Sequence, residues 1–259
     1  MKRNHSSPIG GIDRFRTTRW SVVLLSAQSK ASGSKEALGE LCNLYWYPLY
    51  GFVRQRGHSP EDACDLTQGF FLHLLEHKTL TRVDRQKGKF RSFLLASLQN
   101  YLSNEAHGAR RLKRGGKAEF VRLDLQSAED RYRLEPMETL TPEKIFNARW
   151  AMALLAEAMN RLSREYTAQG KKATFEALNG FLDPLNSNQL PAYERLANQL
   201  KVSVPAVRTL IHRLRKQYTV LVREEVGRTV LDGGEVSAEI HELCEALIAS
   251  PLFRVGSWI

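Results

Sequence analysis

Cysteine and long apolar runs are both scarce in this chain, and each scarcity argues against a class of protein. Only three cysteines, Cys42, Cys64 and Cys244, occur among 259 residues, and no two of them form a Cys-x-x-Cys pair. Isolated cysteines suit a reducing compartment and argue against a zinc ribbon, which needs paired thiolates. No apolar run reaches the ~20 residues of a membrane-spanning helix, and the charged, polar start shows no signal peptide. The sequence predicts a cytoplasmic protein without membrane insertion.

Catalytic signatures are missing as well, and acidic residues are fewer than basic ones. No nucleophile with a neighbouring base and oxyanion donors is apparent, and no glycine-rich loop could cradle a phosphate. We therefore expect no enzymatic activity, no cofactor and no bound metal. The net charge is +10, since 38 Lys and Arg face 28 Asp and Glu. An excess of this size predicts an anionic partner, with nucleic acid favoured over membrane.

Almost every periodic segment is typical of a helix, so the sequence predicts an all-α fold of two small helical domains joined by a linker. The best strand candidate is the alternating run at 120–125. Ser59 and Thr141 are each followed by proline and then an acid, a strong signal for the start of a helix. The predicted units are a disordered basic arm at 1–18, a helical domain at 19–115, an acidic linker at 116–141, a helix-turn-helix domain at 142–227 and a C-terminal extension at 228–259.

The stretch at 193–218 carries the clearest pattern. Apolar residues recur at helical spacing over 196–200, and a three-residue turn separates them from a longer helical run. Ser203 stands at the N-cap position and Pro205 in the first turn, whereas Lys201 occupies a turn position where glycine often relieves a left-handed backbone. Two helices around a tight turn predict a helix-turn-helix. The predicted inward side chains are Val207, Leu210, Ile211 and Leu214; the outward ones are Pro205, Arg208, Thr209, His212, Arg213 and Lys216.

Two separate elements of the chain are basic without interruption. No acidic residue occurs at 201–223, whereas a merely solvated helix usually mixes signs. The run at 107–117 also lacks acids, and it follows a predicted helix that carries aromatic and amide side chains. These are Phe90, Phe93, Asn100, Tyr101 and Asn104. Basic groups track phosphates, while aromatics and amides suit unstacked bases. The sequence therefore predicts that the element at 201–223 binds duplex DNA and that the element ending at 107–117 helps to open the duplex.

Three segments, in the correct order, resemble bacterial RNA polymerase sigma factors of the extracytoplasmic-function type. Residues 57–71, GHSPEDACDLTQGFF, are similar to the segment that docks on RNA polymerase. Residues 90–114 are similar to the neighbouring helix, which reads and melts the minus-ten element. The helix-turn-helix is similar to the domain that reads the minus-thirty-five element. The resemblance covers about residues 19–226 and implies a chain that binds core RNA polymerase and directs promoter recognition and DNA opening.

The same resemblance implies roles for individual residues. The implied contacts with core polymerase are Glu61, Asp62, Asp65 and Gln68. The implied minus-ten contacts are Asn100, Asn104, Arg110, Arg111, Lys113 and Arg114, and the implied minus-thirty-five contacts are Pro205, Arg208, Thr209, His212 and Arg213. The linker is similar to those that lie near the template strand in the polymerase cleft. The chain departs from the family at Asn104, where many small sigma factors carry Asp, and at Gly108, which interrupts the basic helix.

Two other functions share parts of this pattern. A helix-turn-helix regulator that never touches polymerase has the same basic surface, so charge alone does not separate the two. A zinc peptidase is suggested by His73-Leu74-Leu75-Glu76-His77, an HxxEH match, although no downstream glutamate constellation accompanies it. An anti-sigma factor or another regulator is a further expected partner. We hypothesise that the stripe of Val236, Ile240, Leu243 and Leu247 in the extension packs on the helix-turn-helix domain or on such a regulator.

Overall fold

A computed structural model of the protein describes residues 33–76, 89–108, 125–134, 140–183, 190–230 and 233–250. Regular structure in these ranges is helical, without a strand, which confirms the all-α prediction. The α-helices there are α1 (Gly33–Gln55), α2 (Pro60–Glu76), α3 (Phe90–Gly108), α4 (Leu125–Leu134), α5 (Pro142–Ala168), α6 (Lys172–Leu178), α7 (Tyr193–Leu200), α8 (Val204–Gly227) and α9 (Val236–Ala249). Short 3-10 turns follow α6 at Asn179–Leu182 and precede α9 at Gly233–Glu235.

Some predictions concern residues outside the described ranges. The basic arm at 1–18 is one, and the strand candidate is another except for Leu125, which begins α4. Within the ranges, no helix is both long and apolar enough to cross a membrane.

Three helices begin with the same capping device. A Ser or Thr side-chain oxygen accepts a hydrogen bond from the backbone N–H three residues later, which satisfies one of the donors left unpaired at a helix start. A proline in the first turn costs little there, because its missing N–H would have no partner within the helix. The N–H to oxygen pairs are Asp62 to Ser59 at 3.1 Å, Lys144 to Thr141 at 3.4 Å and Ala206 to Ser203 at 3.4 Å. The helix starts predicted at these positions are confirmed.

The first hydrophobic cluster is organised around aromatic side chains of α1. Tyr45, Tyr50 and Phe52 are fully buried, as expected for a core segment. The ring of Tyr45 lies 4.1 Å from that of Trp150 on α5, centroid to centroid. Each large apolar side chain buried in this way stabilises the fold by ~1.5–3 kcal/mol. The cluster also takes in buried residues of α2, α3 and α9, among them Phe70, Leu74, Leu94, Leu98, Leu243 and Leu247.

The second hydrophobic cluster belongs to the helix-turn-helix. Leu196 and Ala197 of α7 pack with buried side chains of α8 and with the second half of α5. The predicted inward stripe of α8 is observed with one difference, since Leu210 is only half-buried while the other three positions are buried. The members contributed by α5 and α8 are Ala158, Leu162, Tyr166, Val207, Ile211, Leu214 and Leu221.

A single continuous helix, α5, serves both clusters. Its 27 residues span ~40 Å at 1.5 Å per residue, which is longer than a small core. Phe146 and Trp150 lie in the first cluster, whereas Ala158 and Leu162 lie in the second. The segment predicted to open the helix-turn-helix domain therefore also fills the core of the preceding one.

The predicted acidic linker contains a packed helix. Residues 125–134 form α4, and Glu129 is buried, 6% exposed, instead of lying in solvent. Its carboxylate accepts hydrogen bonds from the Tyr50 hydroxyl at 2.7 Å and from Nη2 of Arg54 at 2.9 Å. Composition suggested a tether because carboxylates usually stay hydrated, but a buried carboxylate is tolerated where a cation and donors pair with it. Ten residues of the predicted linker therefore form a helix that packs against α1.

The C-terminal helix α9 packs along α5 and α8 and also reaches α3. Its apolar stripe packs into the first cluster. The stripe therefore contacts more of the protein than the helix-turn-helix domain on which we expected it to pack. Polar side chains complete the contact, and we name this group the junction network: Lys89, Arg91, Asn147, Glu239 and Glu242. Arg91 Nε lies 2.7 Å from Glu239 Oε1, and Arg91 Nη2 lies 2.6 Å from Glu242 Oε2. Lys89 Nζ lies 2.9 Å from Glu239 Oε2, and Arg91 Nη1 donates to Asn147 Oδ1 at 2.6 Å.

Candidate nucleic-acid interface

The turn between α7 and α8 reverses the chain at Lys201. Its backbone is left-handed, with φ 54° and ψ 44°, as the sequence predicted for this position. The N–H of Val202 donates to the Ala197 carbonyl at 3.0 Å, and the N–H of Lys201 donates to the Asn198 carbonyl at 3.3 Å. This double closure is a Schellman arrangement, which satisfies the last carbonyls of a helix. The left-handed residue costs up to ~1–2 kcal/mol without glycine, and the packing of α7 on α8 offsets that cost.

The predicted outward face of α8 is solvent-exposed. The exposed residues are Pro205, Arg208, Thr209, His212, Arg213 and Lys216. They recur at three- and four-residue spacing, so they share one side of the helix, opposite the buried stripe. The hydroxyl of Thr209 donates to the Pro205 carbonyl at 3.1 Å, which orients that side chain on the helix surface. The face can therefore present cationic and hydrogen-bonding groups together.

Tyr193, at the start of α7, was not expected from the sequence to be part of this surface. The guanidinium carbon of Arg208 lies 5.7 Å from the centroid of its ring, within the range of a cation–π contact. The same ring stacks on Phe181, with centroids 5.9 Å apart. In the sequence, the only sign of this contact is a tyrosine at the start of the helix that precedes the basic helix. The spacing between the two residues does not show that the ring contacts Arg208.

The candidate minus-ten surface is described only in part. Asn100 and Asn104 are exposed on the second half of α3, whereas Arg110, Arg111, Lys113 and Arg114 lie outside the described residues. Phe90 is fully buried, and its ring centroid lies 6.3 Å from that of Trp150. The expectation that Phe90 could stack on a base is therefore wrong. An apolar stripe and a base-stacking platform look alike in sequence, because both need aromatic rings at helical spacing.

Tyr101 is also tied into the protein interior. A Cβ placed at Gly69 would lie 2.4 Å from its hydroxyl oxygen, so α2 and α3 approach closely at this point. Burial raises the pKa of Tyr101 to about 12, and the nearby Glu105 carboxylate adds to the shift. The ring lies 5.8 Å from Phe70 and 5.4 Å from His73, centroid to centroid. Tyr101 therefore supports the α2–α3 contact, although its side chain is only partly buried.

The candidate polymerase-docking face lies on α2. Glu61, Asp62 and Asp65 are exposed. Gln68 is half-buried and its amide nitrogen lies 3.3 Å from Sγ of Cys64. Burial raises the pKa of the Cys64 thiol, and the Asp65 carboxylate acts in the same direction. Acids in a first turn also favour the helix dipole, so part of this pattern has a structural explanation. The structure nevertheless places three carboxylates side by side in solvent.

The HxxEH motif lies at the end of α2. His73 is half-buried against Tyr101, and His77 lies outside the described residues. Across the ranges that are described, no group of three or more His, Cys, Asp or Glu side chains could hold a metal ion.

The described residues thus place a cationic helix-turn-helix face and an acidic face of α2 on one molecule. Comparisons of the chain with protein-family models, with curated proteins and with solved structures each gave no match.

Proposed function

We propose that this chain is a sigma factor of the extracytoplasmic-function type, which binds core RNA polymerase and directs promoter recognition and DNA opening. The observation that carries the proposal is the helix-turn-helix of α7 and α8 with its exposed cationic face. The sequence resemblance of residues 57–71 and 90–114 to sigma segments adds polymerase docking and DNA opening to this role. The proposal includes no catalytic step and no cofactor.

Recognition of the upstream element would follow the usual geometry of a helix-turn-helix. The N-terminal part of the second helix enters the major groove and contacts base edges there. Arg208 and Arg213 lie in the first three turns of α8 and are exposed. A bidentate arginine–guanine contact contributes ~1–3 kcal/mol of discrimination. Lys216, one turn further along, is suited to a phosphate.

Opening of the downstream element would use α3 and the basic run that follows it. Stacking of a splayed base contributes ~1–3 kcal/mol per base, which offsets an unstacking cost of a few kcal/mol. With Phe90 buried and with Phe93 and Tyr101 only partly exposed, the exposed side chains of this set are the amides of Asn100 and Asn104. Arg110, Arg111, Lys113 and Arg114 would hold the displaced backbone.

A helix-turn-helix regulator that acts without polymerase is the alternative. One observation favours it: α5 runs unbroken through both hydrophobic clusters, and α9 packs against the first. A protein packed in this way can bind a single duplex site without separating its two halves. Variants of the acidic face of α2 can distinguish the alternatives, because only the sigma proposal requires this face to bind polymerase.

The decisive experiment is binding to core RNA polymerase combined with reconstituted initiation. We expect the purified chain to bind bacterial core polymerase and to direct transcription from a promoter. The double variant Asp65→Ala, Gln68→Ala should weaken polymerase binding while its helical content and Tm stay unchanged. Asp130→Ala, which removes an exposed acid from α4, is the matched control and should bind normally. A chain that neither binds polymerase nor alters initiation would end the sigma proposal.

DNA binding by α8 has its own test. We expect Arg208→Ala with Arg213→Ala to lose affinity for promoter DNA, whereas Lys172→Ala, an exposed cation on α6, changes little. The logarithm of affinity should fall with the logarithm of salt concentration by about 0.9 for each neutralised phosphate. An affinity that does not respond to salt would contradict contact with phosphates.

A further inference from the structure

Two aromatic rings connect the core of the helix-turn-helix with Arg208 on its exposed face. Phe181, in the 3-10 turn after α6, is 5% exposed and belongs to the second hydrophobic cluster. Its ring stacks on that of Tyr193, with centroids 5.9 Å apart and planes inclined by 19°. Tyr193 is 37% exposed, so it is packed in part and also reaches the surface. The guanidinium carbon of Arg208 lies over this second ring, 5.7 Å from its centroid.

Both elements that carry these rings are fixed to α8, the helix of Arg208. Nε of Arg215 on α8 donates to the Phe181 carbonyl at 3.1 Å. Leu196 and Ala197 of α7 are buried in the same cluster as the inward stripe of α8. The ring of Tyr193 is therefore held at one place relative to α8, and it can restrict where the side chain of Arg208 lies.

Contact with the face of a ring leaves the hydrogen-bond donors of Arg208 available. A guanidinium carries five N–H donors in its plane, and an aromatic ring attracts its charge without accepting those hydrogen bonds as a carboxylate would. Across the ranges that the structure describes, no carboxylate pairs with the side chain of Arg208. Its donors can therefore meet the O6 and N7 acceptors of a guanine while the ring still holds the side chain.

Arg213 lies on the same exposed face without this support. Both arginines are exposed, but within the described part of the chain Arg208 lies over an aromatic ring and Arg213 does not. An arginine loses rotamer freedom when it binds in one orientation, and a side chain already held near that orientation loses less. We infer that Tyr193 is a positioning residue, which holds Arg208 for the reading of one base pair in the major groove.

This role rests on the proposed reading of duplex DNA by α8, which the sigma factor and the regulator share. The test therefore uses the full-length chain and a pool of randomised DNA duplexes, from which the chain selects its preferred site. Selections with Arg208→Ala and with Arg213→Ala identify the base pair that each arginine reads. Each substitution should relax the preference at its own base pair about 5-fold or more.

Tyr193→Leu removes the ring and is the central variant. We expect it to relax the preference at the Arg208 base pair about 2- to 5-fold, which is the size of an exposed cation–π contact. The remaining base pairs, including the one that Arg213 reads, should keep their preferences, and this shows that the fold is intact. In the Arg208→Ala background, Tyr193→Leu should change nothing further, because the side chain that it positions is gone.

Two more variants separate the ring from the rest of the tyrosine. Tyr193→Phe keeps the ring without the hydroxyl and should select the same site as the wild-type chain. Tyr193→Gln is a second variant without a ring, with good helix propensity, and should behave as Tyr193→Leu does.

The results distinguish a failure of this role from a failure of the proposed function. If the wild-type chain selects no sequence, both are overturned. If it selects a site but Arg208→Ala leaves every preference unchanged, α8 still reads DNA and only the role of Tyr193 is overturned. The same follows if Tyr193→Leu relaxes all base pairs equally or none of them. It also follows if Tyr193→Phe loses as much as Tyr193→Leu, since the hydroxyl would then act in place of the ring.

Discussion

Arg91 offers the most direct test of how α9 is held to the rest of the protein. Its side chain is 6% exposed and contacts Glu239, whose side chain is 2% exposed, at 2.7 Å. Arg91→Met keeps the length of the side chain but removes its charge and all its donors. Glu239 would remain buried and would keep one cationic partner in the junction network, Lys89, whose Nζ lies 2.9 Å from Oε2 of Glu239.

The magnitude follows from the desolvation of the carboxylate. Removal of one partner from a buried ion pair costs ~3–5 kcal/mol, chiefly because the other charge stays buried. Since Lys89 still contacts Glu239, we expect the lower end, ~3 kcal/mol. In a chain of this size, 1 kcal/mol corresponds to ~2–4 °C, so Tm should fall by about 6–12 °C. Thermal unfolding followed by circular dichroism at the helical band measures the change.

The same helix supplies the matched control. His241 and Glu245 form an exposed pair on α9, 3.3 Å apart, with side chains 76% and 66% exposed. Glu245→Gln should change stability by roughly 0.5 kcal/mol or less, because solvent already screens that pair. A double variant, Arg91→Leu with Glu239→Leu, should recover most of the loss, since well-packed apolar groups can replace a buried pair. Equal Tm values for Arg91→Met and Glu245→Gln would refute the reasoning.

Two further predictions concern buried charge and close packing. Hydrogen bonds from Arg54 lower the pKa of Glu129 to about 2, against about 4.3 in an unfolded chain. This stabilisation is present above about pH 4.3 and is lost toward pH 2, so Glu129→Gln should flatten the acid limb of stability against pH. A Cβ at Gly51 would lie 2.4 Å from Nη1 of the buried Arg149. Gly51→Ala should therefore lose about 1 kcal/mol in denaturant unfolding despite a better helix propensity, while the uncrowded Gly233→Ala changes little; equal midpoints would contradict the clash.

Local features of the fold were predictable because they depend on neighbours in sequence. The caps at Ser59, Thr141 and Ser203 need only a side-chain oxygen and an N–H three residues away. The left-handed turn at Lys201 follows from the short spacing between two amphipathic runs. The exposed face at 205–216 follows from helical periodicity, which puts every third or fourth residue on one side.

Features that depend on distant partners were decided by tertiary structure. Glu129 looked like part of a solvated tether, yet its partner Arg54 lies 75 positions earlier in the chain. Glu239 lies outside the apolar stripe predicted for the C-terminal helix, yet it is buried, and its partner Arg91 is 148 positions away. Phe90 had a helical spacing that fits a core or a base-stacking platform equally well. Whether each of these side chains is buried depends on a partner from a distant part of the chain, and the neighbouring sequence does not identify that partner.

The candidate sites divide along the same line. The acids of α2 and the cations of α8 are visible in the sequence because each surface lies on one helix, where spacing determines which residues face the same way. The junction network is not visible, since its members meet only after α9 packs against α3 and α5. Periodicity along the chain determines which faces a helix has, and only the packing of the helices determines what those faces meet.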